Sequence, residues 1–171
     1  MNLNENEQKI STKTIQLVSF TVGEEEYGVH IEDVQEIVRM PEITHLPQTP
    51  DFIKGVINLR GNIIPVIDMR ERFNMKAREY TSITRVIVIK IEKKLVGMIV
   101  DAVSQVLVLN EDDIDEAPDI IHGISKEFIE GIGKVNDDLI IILDIQKVLT
   151  AEEIKSIKMV TKEIPDQKEK K

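Results

Sequence analysis

The sequence predicts an all-β protein made of two small five-stranded barrels that pack on each other. Short apolar segments of strand length alternate with turn residues through most of the chain. The chain also contains two diverged copies of one strand pattern, over residues 15–84 and 85–150. Five short strands bury little core by themselves, so we expect the two copies to pack together.

The repeat is clearest between residues 52–73, FIKGVINLRGNIIPVIDMRERF, and residues 128–149, FIEGIGKVNDDLIIILDIQKVL, at an offset of 76. Upstream, residues 16–38 align with residues 85–107 at an offset of 69, which places Gly28 on Gly97. The change of offset means that seven additional residues lie between the two blocks of the second copy. The identical pairs in the downstream block are Phe52/Phe128, Ile53/Ile129, Gly55/Gly131, Ile64/Ile140 and Asp68/Asp144.

Each copy is read as the same series of elements. A strand, a charged turn at residues 23–26 or 92–94, and a second strand come first, followed by a third apolar stretch, a loop and a hairpin. The first hairpin is expected to turn at residues 60–62, where Gly61 suits a positive φ. The third stretch, with Val34, Ile37 and Val38, is also compatible with one amphipathic helical turn.

Short helical segments are expected after the hairpins and at the end of the chain. Asp68 with Glu71, and Thr150 with Glu153, have capping-box spacing. The second pair would open a C-terminal helix, 151–164, with its apolar residues on one face, before a charged tail, 165–171. Residues 1–14 are polar and are expected to be disordered.

Composition limits the possible partners. The net charge of -9 and the pI near 4.9 disfavour nucleic acid and anionic membrane surfaces. The sequence shows neither a long apolar segment nor a signal peptide, so a cytoplasmic protein without direct membrane insertion is expected. The absence of cysteine fits a reducing compartment. Other proteins are therefore the expected partners.

The pattern of polar residues indicates no cofactor and no metal. His30, His45 and His122 are scattered, with no zinc-site spacing. The acidic run at residues 111–116 fails as a calcium loop, because Asp115 occupies the position where an EF-hand starting at Asn110 needs Gly. No Gly-rich phosphate loop or nucleophile elbow is present, which favours a non-catalytic protein.

The segment FIKGVINLRGNIIPVIDMR resembles the signature of the CheW family, and EEYGVHIEDVQEI and VGMIVDAVSQVL resemble its flanking motifs. The resemblance covers residues 15–149. It implies two intertwined SH3-like barrels and a non-catalytic chemotaxis adaptor in the cytoplasm, at receptor arrays. Its implied partners are the cytoplasmic tips of chemoreceptors and the regulatory domain of the histidine kinase CheA.

The resemblance also implies which residues contact those partners. Val34, Glu36 and Arg60 match positions of receptor coupling. Ile43 and Gly55 match positions on a kinase-facing side of the first barrel, and Ile120 falls at a second kinase contact. Glu36 and Arg60 carry opposite charges on one predicted barrel, so they are also candidates for an ion pair. Because both copies keep the glycine, a shared structural need is the favoured interpretation of Gly55, and a partner contact would be additional to it.

Two other functions stay open at this point. One is a carboxylate-based hydrolase using Asp68 or Asp101 in a cleft between the barrels, although Asp68 has an equivalent in Asp144 and helix capping explains both. The other is a coupling protein of a chemosensory-like pathway that does not control motility. In the longer second loop, Ile120 and Ile121 are either a plug into the barrel or an exposed contact.

Overall fold

The structure is a computed structural model that describes residues 13–118, 120–121, 124–149, 153 and 155. It confirms the all-β class, with short helical segments between strands. The strands are β1 Thr14–Val22, β2 Glu25–His30, β3 Val34–Arg39, β4 Ile53–Leu59, β5 Asn62–Asp68, β6 Arg85–Ile91, β7 Lys94–Val100, β8 Ala102–Asn110, β9 Ile114–Asp115, β10 Ile120–Ile121, β11 Ile124–Ser125, β12 Ile129–Val135 and β13 Asp138–Leu143. The helices are α1 Met69–Arg72 and four 3-10 turns, Ile31–Asp33, Glu111–Asp113, Lys126–Phe128 and Ile145–Lys147.

The strands form two main sheets. Sheet I has five strands in the order β3-β6-β7-β5-β4. Sheet II has six strands in the order β8-β1-β2-β13-β12-β9, and its sixth strand is the two-residue β9. The longer second loop supplies β9 and the separate β10–β11 ribbon. The third apolar stretch, β3, is a strand rather than a helical turn.

The sheets exchange hairpins between the two copies of the repeat. Hairpin β4–β5 of the first copy joins hairpin β6–β7 of the second through the parallel pairing Val66↔Gly97. Hairpin β12–β13 joins β1–β2 through the parallel pairing Ile142↔Gly28. The offsets of 76 and 69 relate these two pairings to each other. Each sheet therefore takes strands from both sides of residue 84, so the halves 15–84 and 85–150 do not coincide with the sheets.

Three apolar clusters follow from this arrangement. A central core lies between the sheets and includes Phe20 and Tyr27 of sheet II and Ile87 of sheet I. Sheet I curls around its own interior, to which all five strands contribute, and we call this unit barrel I. Sheet II likewise encloses a smaller interior around Leu17 and Ile142, and forms barrel II.

Strand β6 is apolar almost throughout because both of its faces are buried. Val86 and Val88 point into barrel I, whereas Ile87, Ile89 and Ile91 point into the central core. A strand buried on both faces reads as a continuous apolar run rather than an alternating one. Full burial of each of these side chains stabilises the fold by about 1.5–3 kcal/mol.

The predicted helix starts are confirmed where the structure describes them. The Asp68 carboxylate accepts hydrogen bonds from the backbone N–H groups of Arg70 and Glu71 and so caps α1. Asp144 accepts from the backbone of Gln146 at the equivalent place. The predicted helix 151–164 and tail 165–171 lie outside the described residues, apart from Glu153 and Lys155, which are helical. Residues 1–12 also lie outside them, and β1 begins at Thr14, inside the predicted stretch 1–14.

Candidate protein-interaction site

Glu36 and Arg60 form the predicted ion pair. Strands β3 and β4 are the two edges of sheet I, and an Arg60 Nη2 group donates to the Glu36 carboxylate from the β4–β5 turn. The pair therefore spans the edges where the sheet curls into barrel I. The Arg60 side chain is 69% exposed and that of Glu36 is 26% exposed. An ion pair this open adds only about 0–1 kcal/mol to folding.

The turn that carries Arg60 is tighter than predicted. Leu59 pairs directly with Asn62, so the turn has two residues, Arg60 and Gly61, rather than three. Both have positive φ, 51° and 89°. This conformation matches the twist of the flanking strands, and the Asn58 side chain accepts from the Gly61 N–H at 2.8 Å. The turn presents Arg60 on a rigid hairpin.

Strand β3 also carries apolar side chains toward the central core. Val34 is half-buried against that core. Ile37 lies opposite Ile87, whose side chain is fully buried there, so Ile37 faces the same side of sheet I. Ile37 is nevertheless 40% exposed, because β3 is an edge strand.

Strand β8, an edge of sheet II, has the same arrangement. Val103 packs against the central core. Val106 lies opposite the buried Val18, yet it is 52% exposed, and Val108 is 61% exposed. The central core therefore continues to solvent along two edge strands, one from each sheet. We call the exposed residues Ile37, Val106 and Val108 the apolar margin.

Sequence reasoning missed Val106 and Val108. The signal was present in the run VLVL at residues 106–109, because apolar residues at successive positions cannot all face one side of a strand. Leu107 and Leu109 fill the interior of barrel II. The intervening valines must then face the opposite side, and only the edge position of β8 shows that this side is open.

Gly55 has a structural role that accounts for its presence. Its φ is 145°, and a Cβ atom there would lie 2.0 Å from the carbonyl oxygen of Thr44. Thr44 and Val56 exchange two backbone hydrogen bonds, of 2.8 and 2.9 Å, across this contact. Ile43, next to Thr44, is half-buried against the interior of barrel I. The structure thus fastens the loop carrying Ile43 to β4.

Ile120 lies in the β10–β11 ribbon, where its backbone pairs with Ser125. The side chains of Ile120 and Ile121 lie outside what the structure describes. The choice between a plug and an exposed contact therefore stays a prediction. The structure brings Val34, Glu36 and Arg60 together on barrel I, with Ile43 and Gly55 on the same barrel, and puts Ile120 in the separate ribbon.

The carboxylates considered for catalysis serve structural contacts. The second oxygen of Asp68 accepts from the Tyr80 hydroxyl at 3.0 Å. Asp101 accepts from the Gly23 N–H at 2.8 Å and from the Arg70 guanidinium through both oxygens. Burial alone would raise the pKa of Asp101, but the hydrogen bonds from Arg70 and Gly23 outweigh burial and lower it. The lowered pKa of Asp101 is the opposite of what a general acid at neutral pH requires.

Of the three histidines, His30 and His45 are described by the structure, whereas His122 lies outside the described residues. His30 contacts both oxygens of Glu130, at 2.9 and 3.0 Å, and His45 contacts the carbonyl of Lys54. Within the described part of the chain, no group of three or more His, Asp or Glu side chains could hold a metal ion. Across those same residues, no helix has the length and apolar character needed to cross a membrane.

Comparison with known proteins identifies relatives along most of the chain. The model of the CheW-like domain matches residues 16–153. The chemotaxis protein CheW of Klebsiella aerogenes is 40% identical over 156 residues, which is 90% of this chain and 94% of that protein. CheW of Treponema pallidum is 30% identical over 86% of this chain and 89% of that protein.

A solved structure is similar to the same extent. The crystal structure of the scaffolding protein TtCheW from Thermoanaerobacter tengcongensis matches with a TM-score of 0.76 and 40% identity. The match covers 82% of this chain and 91% of that one. The apolar margin on one face of β3 and the open ion pair on its other face, on a fold shared with these proteins, support a scaffold or adaptor role in chemotaxis. The chain belongs to the CheW family of chemotaxis proteins.

Proposed function

We propose that this protein couples the cytoplasmic tips of chemoreceptors to the histidine kinase CheA as a non-catalytic adaptor. The observation that carries the proposal is the apolar margin, with the Glu36–Arg60 pair on the same edge strand as Ile37. Exposed apolar side chains along edge strands are typical of a protein contact, and the ion pair adds charged groups on the other face of β3. Bound to receptor tips, the protein would work at arrays on the inner face of the membrane.

The receptor is assigned to the side of β3 and β8. A helical receptor segment would place apolar side chains against Ile37, Val106 and Val108, in the manner of a helix in a groove. Arg60 and Glu36 would then contribute polar contacts at the border, which affect specificity more than affinity. Val34, which precedes Glu36 and Ile37 on β3, packs against the central core and anchors the strand there.

The kinase is assigned to the loop that carries Ile43, along the edge of β4 that is not paired with β5. The loop carrying Ile43 is fixed to β4 at Gly55, so it offers a rigid surface to the regulatory domain of CheA. Ile120, in the β10–β11 ribbon, would provide a second kinase contact. Two separate surfaces on one rigid protein allow it to bind a receptor and a kinase at once.

The test is co-sedimentation of the protein with CheA and with receptor cytoplasmic fragments from the same organism. We expect both to be retained, and the assignment fails if neither is bound. Val108→Asp sharpens the test, because a carboxylate buried in an apolar contact should weaken receptor binding by about tenfold or more. Leu139→Asp is the matched control, since Leu139 is 59% exposed and lies on β13, an inner strand of sheet II. Equal losses for the two variants would contradict a receptor contact at the apolar margin.

A further inference from the structure

Arg72, the last residue of α1, has an environment that neither capping nor surface charge explains. Its guanidinium carbon lies 4.7 Å from the ring centroid of Phe52 and 4.7 Å from that of Phe128. Its Nε donates to the carbonyl of Val148 at 2.7 Å, and its Nη2 donates to Glu153 at 3.2 Å. The side chain is only 12% exposed. Arginine is suited to such a place because its planar group stacks on rings while it donates at its edge.

The two rings belong to different barrels. Phe52 leads into β4 of barrel I, and its carbonyl accepts from the Asp68 N–H at 2.8 Å. Phe128 leads into β12 of barrel II, and its carbonyl accepts from the Asp144 N–H at 2.9 Å. Each ring is thus tied to the end of its own hairpin by an equivalent bond. Arg72 contacts both rings and therefore links the barrels.

The repeat shows why a single arginine is present. The offset of 76 relates Phe52 to Phe128, and it also relates Arg72 to Val148. Arg72 therefore lies where equivalent positions of the two copies meet, and its hydrogen bond goes to the backbone of its own counterpart. The space between the two rings holds one guanidinium. The second copy contributes a carbonyl oxygen there instead of a second cation.

We propose that Arg72 is a positioning residue, which holds the two barrels at one relative angle, and that coupling depends on this angle. The apolar margin takes Ile37 from sheet I and Val106 and Val108 from sheet II, so a change of angle alters its shape. The dependence of coupling on this angle rests on the proposed function. The angle itself is a property of the isolated protein.

The absence of cysteine allows a direct measurement of the angle. Asn62→Cys and Asp138→Cys place spin labels on exposed, equivalent positions of the two barrels. Pulsed electron resonance then gives the distribution of distances between the labels. We expect one narrow distribution for the otherwise unchanged chain, and about a twofold broader one with Arg72→Met, since the ring contact and the hydrogen bond that cross between the barrels are then lost and the apolar central core remains to join them.

Three further variants separate a link between barrels from a local contact. Arg72→Lys keeps the charge but loses the planar stacking, and should broaden the distribution less than Arg72→Met does. Phe128→Leu removes the contact that crosses between barrels and should also broaden it. Phe52→Leu is the comparison. Its ring also packs against the central core, but its contact with Arg72 stays on the barrel I side, so it should broaden the distribution less than Phe128→Leu does. If Arg72→Met does not fold, the distance distributions of these three variants still test the proposal.

Unchanged distributions for Arg72→Lys and Phe128→Leu would overturn the proposal, because the central core alone would then set the angle. Equal broadening by Phe52→Leu and Phe128→Leu would also overturn it. For the functional half, Arg72→Lys should keep binding to CheA and to receptor fragments within about twofold, while receptor-dependent kinase activation falls about fivefold or more. Normal activation with a broadened distribution would reject that half, whereas failure of the unaltered protein to bind either partner would reject the proposed function and leave the distance result standing.

Discussion

Two hairpin turns that the repeat relates, Arg60-Gly61 and Asn136-Asp137, share a positive φ at their first residue, whereas the φ of the second residue is positive at Gly61 and not at Asp137. The φ angle is 51° at Arg60 and 55° at Asn136. Asn is favoured at positive φ because its short side chain bonds locally, whereas Arg has no such advantage. In barrel I, Arg60 instead donates to Glu36. The first barrel thus keeps a residue that the turn itself does not favour, which is expected where a side chain serves a partner.

The same comparison extends to the glycines at the start of the equivalent strands. The φ of Gly55 is 145°, and a Cβ atom at this position would lie 2.0 Å from the carbonyl oxygen of Thr44. The φ of Gly131 is not positive, and the atom nearest to a Cβ there would be a side-chain carbon of Ile114, at 2.7 Å. A side-chain carbon can shift more easily than a backbone oxygen. The loop before β4 is therefore held more strictly than its equivalent before β12.

The largest expected effect follows from this difference. Gly55→Ala should lower the free energy of unfolding by about 3 kcal/mol or more, because strain and a backbone clash add. Gly131→Ala is the matched variant and should lower it by about 1–3 kcal/mol, as an overpacked site does. Urea titrations of both variants give the values. A larger loss of unfolding free energy in Gly131→Ala than in Gly55→Ala would show that the loop before β12, rather than the loop before β4, is held more strictly.

The next effect concerns Asp101 and its equivalent by the offset of 69, Glu32. Asp101 is 17% exposed and bonded to Arg70, whereas the Glu32 side chain is 82% exposed. Asp101→Asn should destabilise the protein at pH 7 by about 2–3 kcal/mol, since it weakens charged hydrogen bonds. Glu32→Gln should change stability by less than about 0.5 kcal/mol.

The Asp101 contribution should also depend on pH. Its pKa in the folded protein is lowered, so the contribution is present above the unfolded-state value, near about 4, and is lost as the pH falls through the folded-state value. The stability difference between the unaltered protein and Asp101→Asn should therefore narrow below about pH 4. Thermal unfolding from pH 7 to pH 3 measures it, and a constant difference would exclude the ion pair as its source.

The sequence predicted the strands well because the repeat marks them twice. The family resemblance implied that the barrels are intertwined, but the repeat does not say which hairpins are exchanged. The alternation of apolar and polar residues predicts which face of β2 is buried. It does not predict whether β2 pairs with β5 or with β13. Ile37 and Val106 have the pattern of buried strand residues, so their exposure depends on which strand lies at an edge. Arg72 was indistinguishable from a surface arginine until the fold placed Phe52 beside Phe128.

Exchanging the turn residues should give a smaller change in stability. Arg60→Asn should stabilise the protein by up to about 1 kcal/mol, because Asn adopts positive φ more readily, and Asn136→Arg should destabilise it by a similar amount. Arg60→Asn should nonetheless weaken receptor-dependent kinase activation, as should Arg60→Glu and Glu36→Arg. Calorimetry and activation assays in reconstituted arrays check both. Activation equal to that of the unaltered protein would remove the pair from the receptor contact.

The smallest expected change in stability is at Ile120. Ile120→Arg should leave the melting temperature and one-to-one binding to CheA nearly unchanged, because the primary kinase contact is assigned to Ile43 and Gly55 on barrel I. Higher-order assembly and cooperative kinase control should fall. Electron microscopy of arrays tests the first expectation. Normal arrays, or an unfolded variant, would contradict an exposed second contact.

The exchange of hairpins between the repeats determines when each barrel can be completed during synthesis. While the chain leaves the ribosome, barrel I is complete only after β7 has emerged, and barrel II must wait for β13, although β1 and β2 were made first. Many contacts join residues far apart in sequence, which slows folding. Cutting the gene between the copies would give two fragments that each lack a partner hairpin. Neither half therefore contains all the strands of either barrel, and each depends on a hairpin that the other supplies.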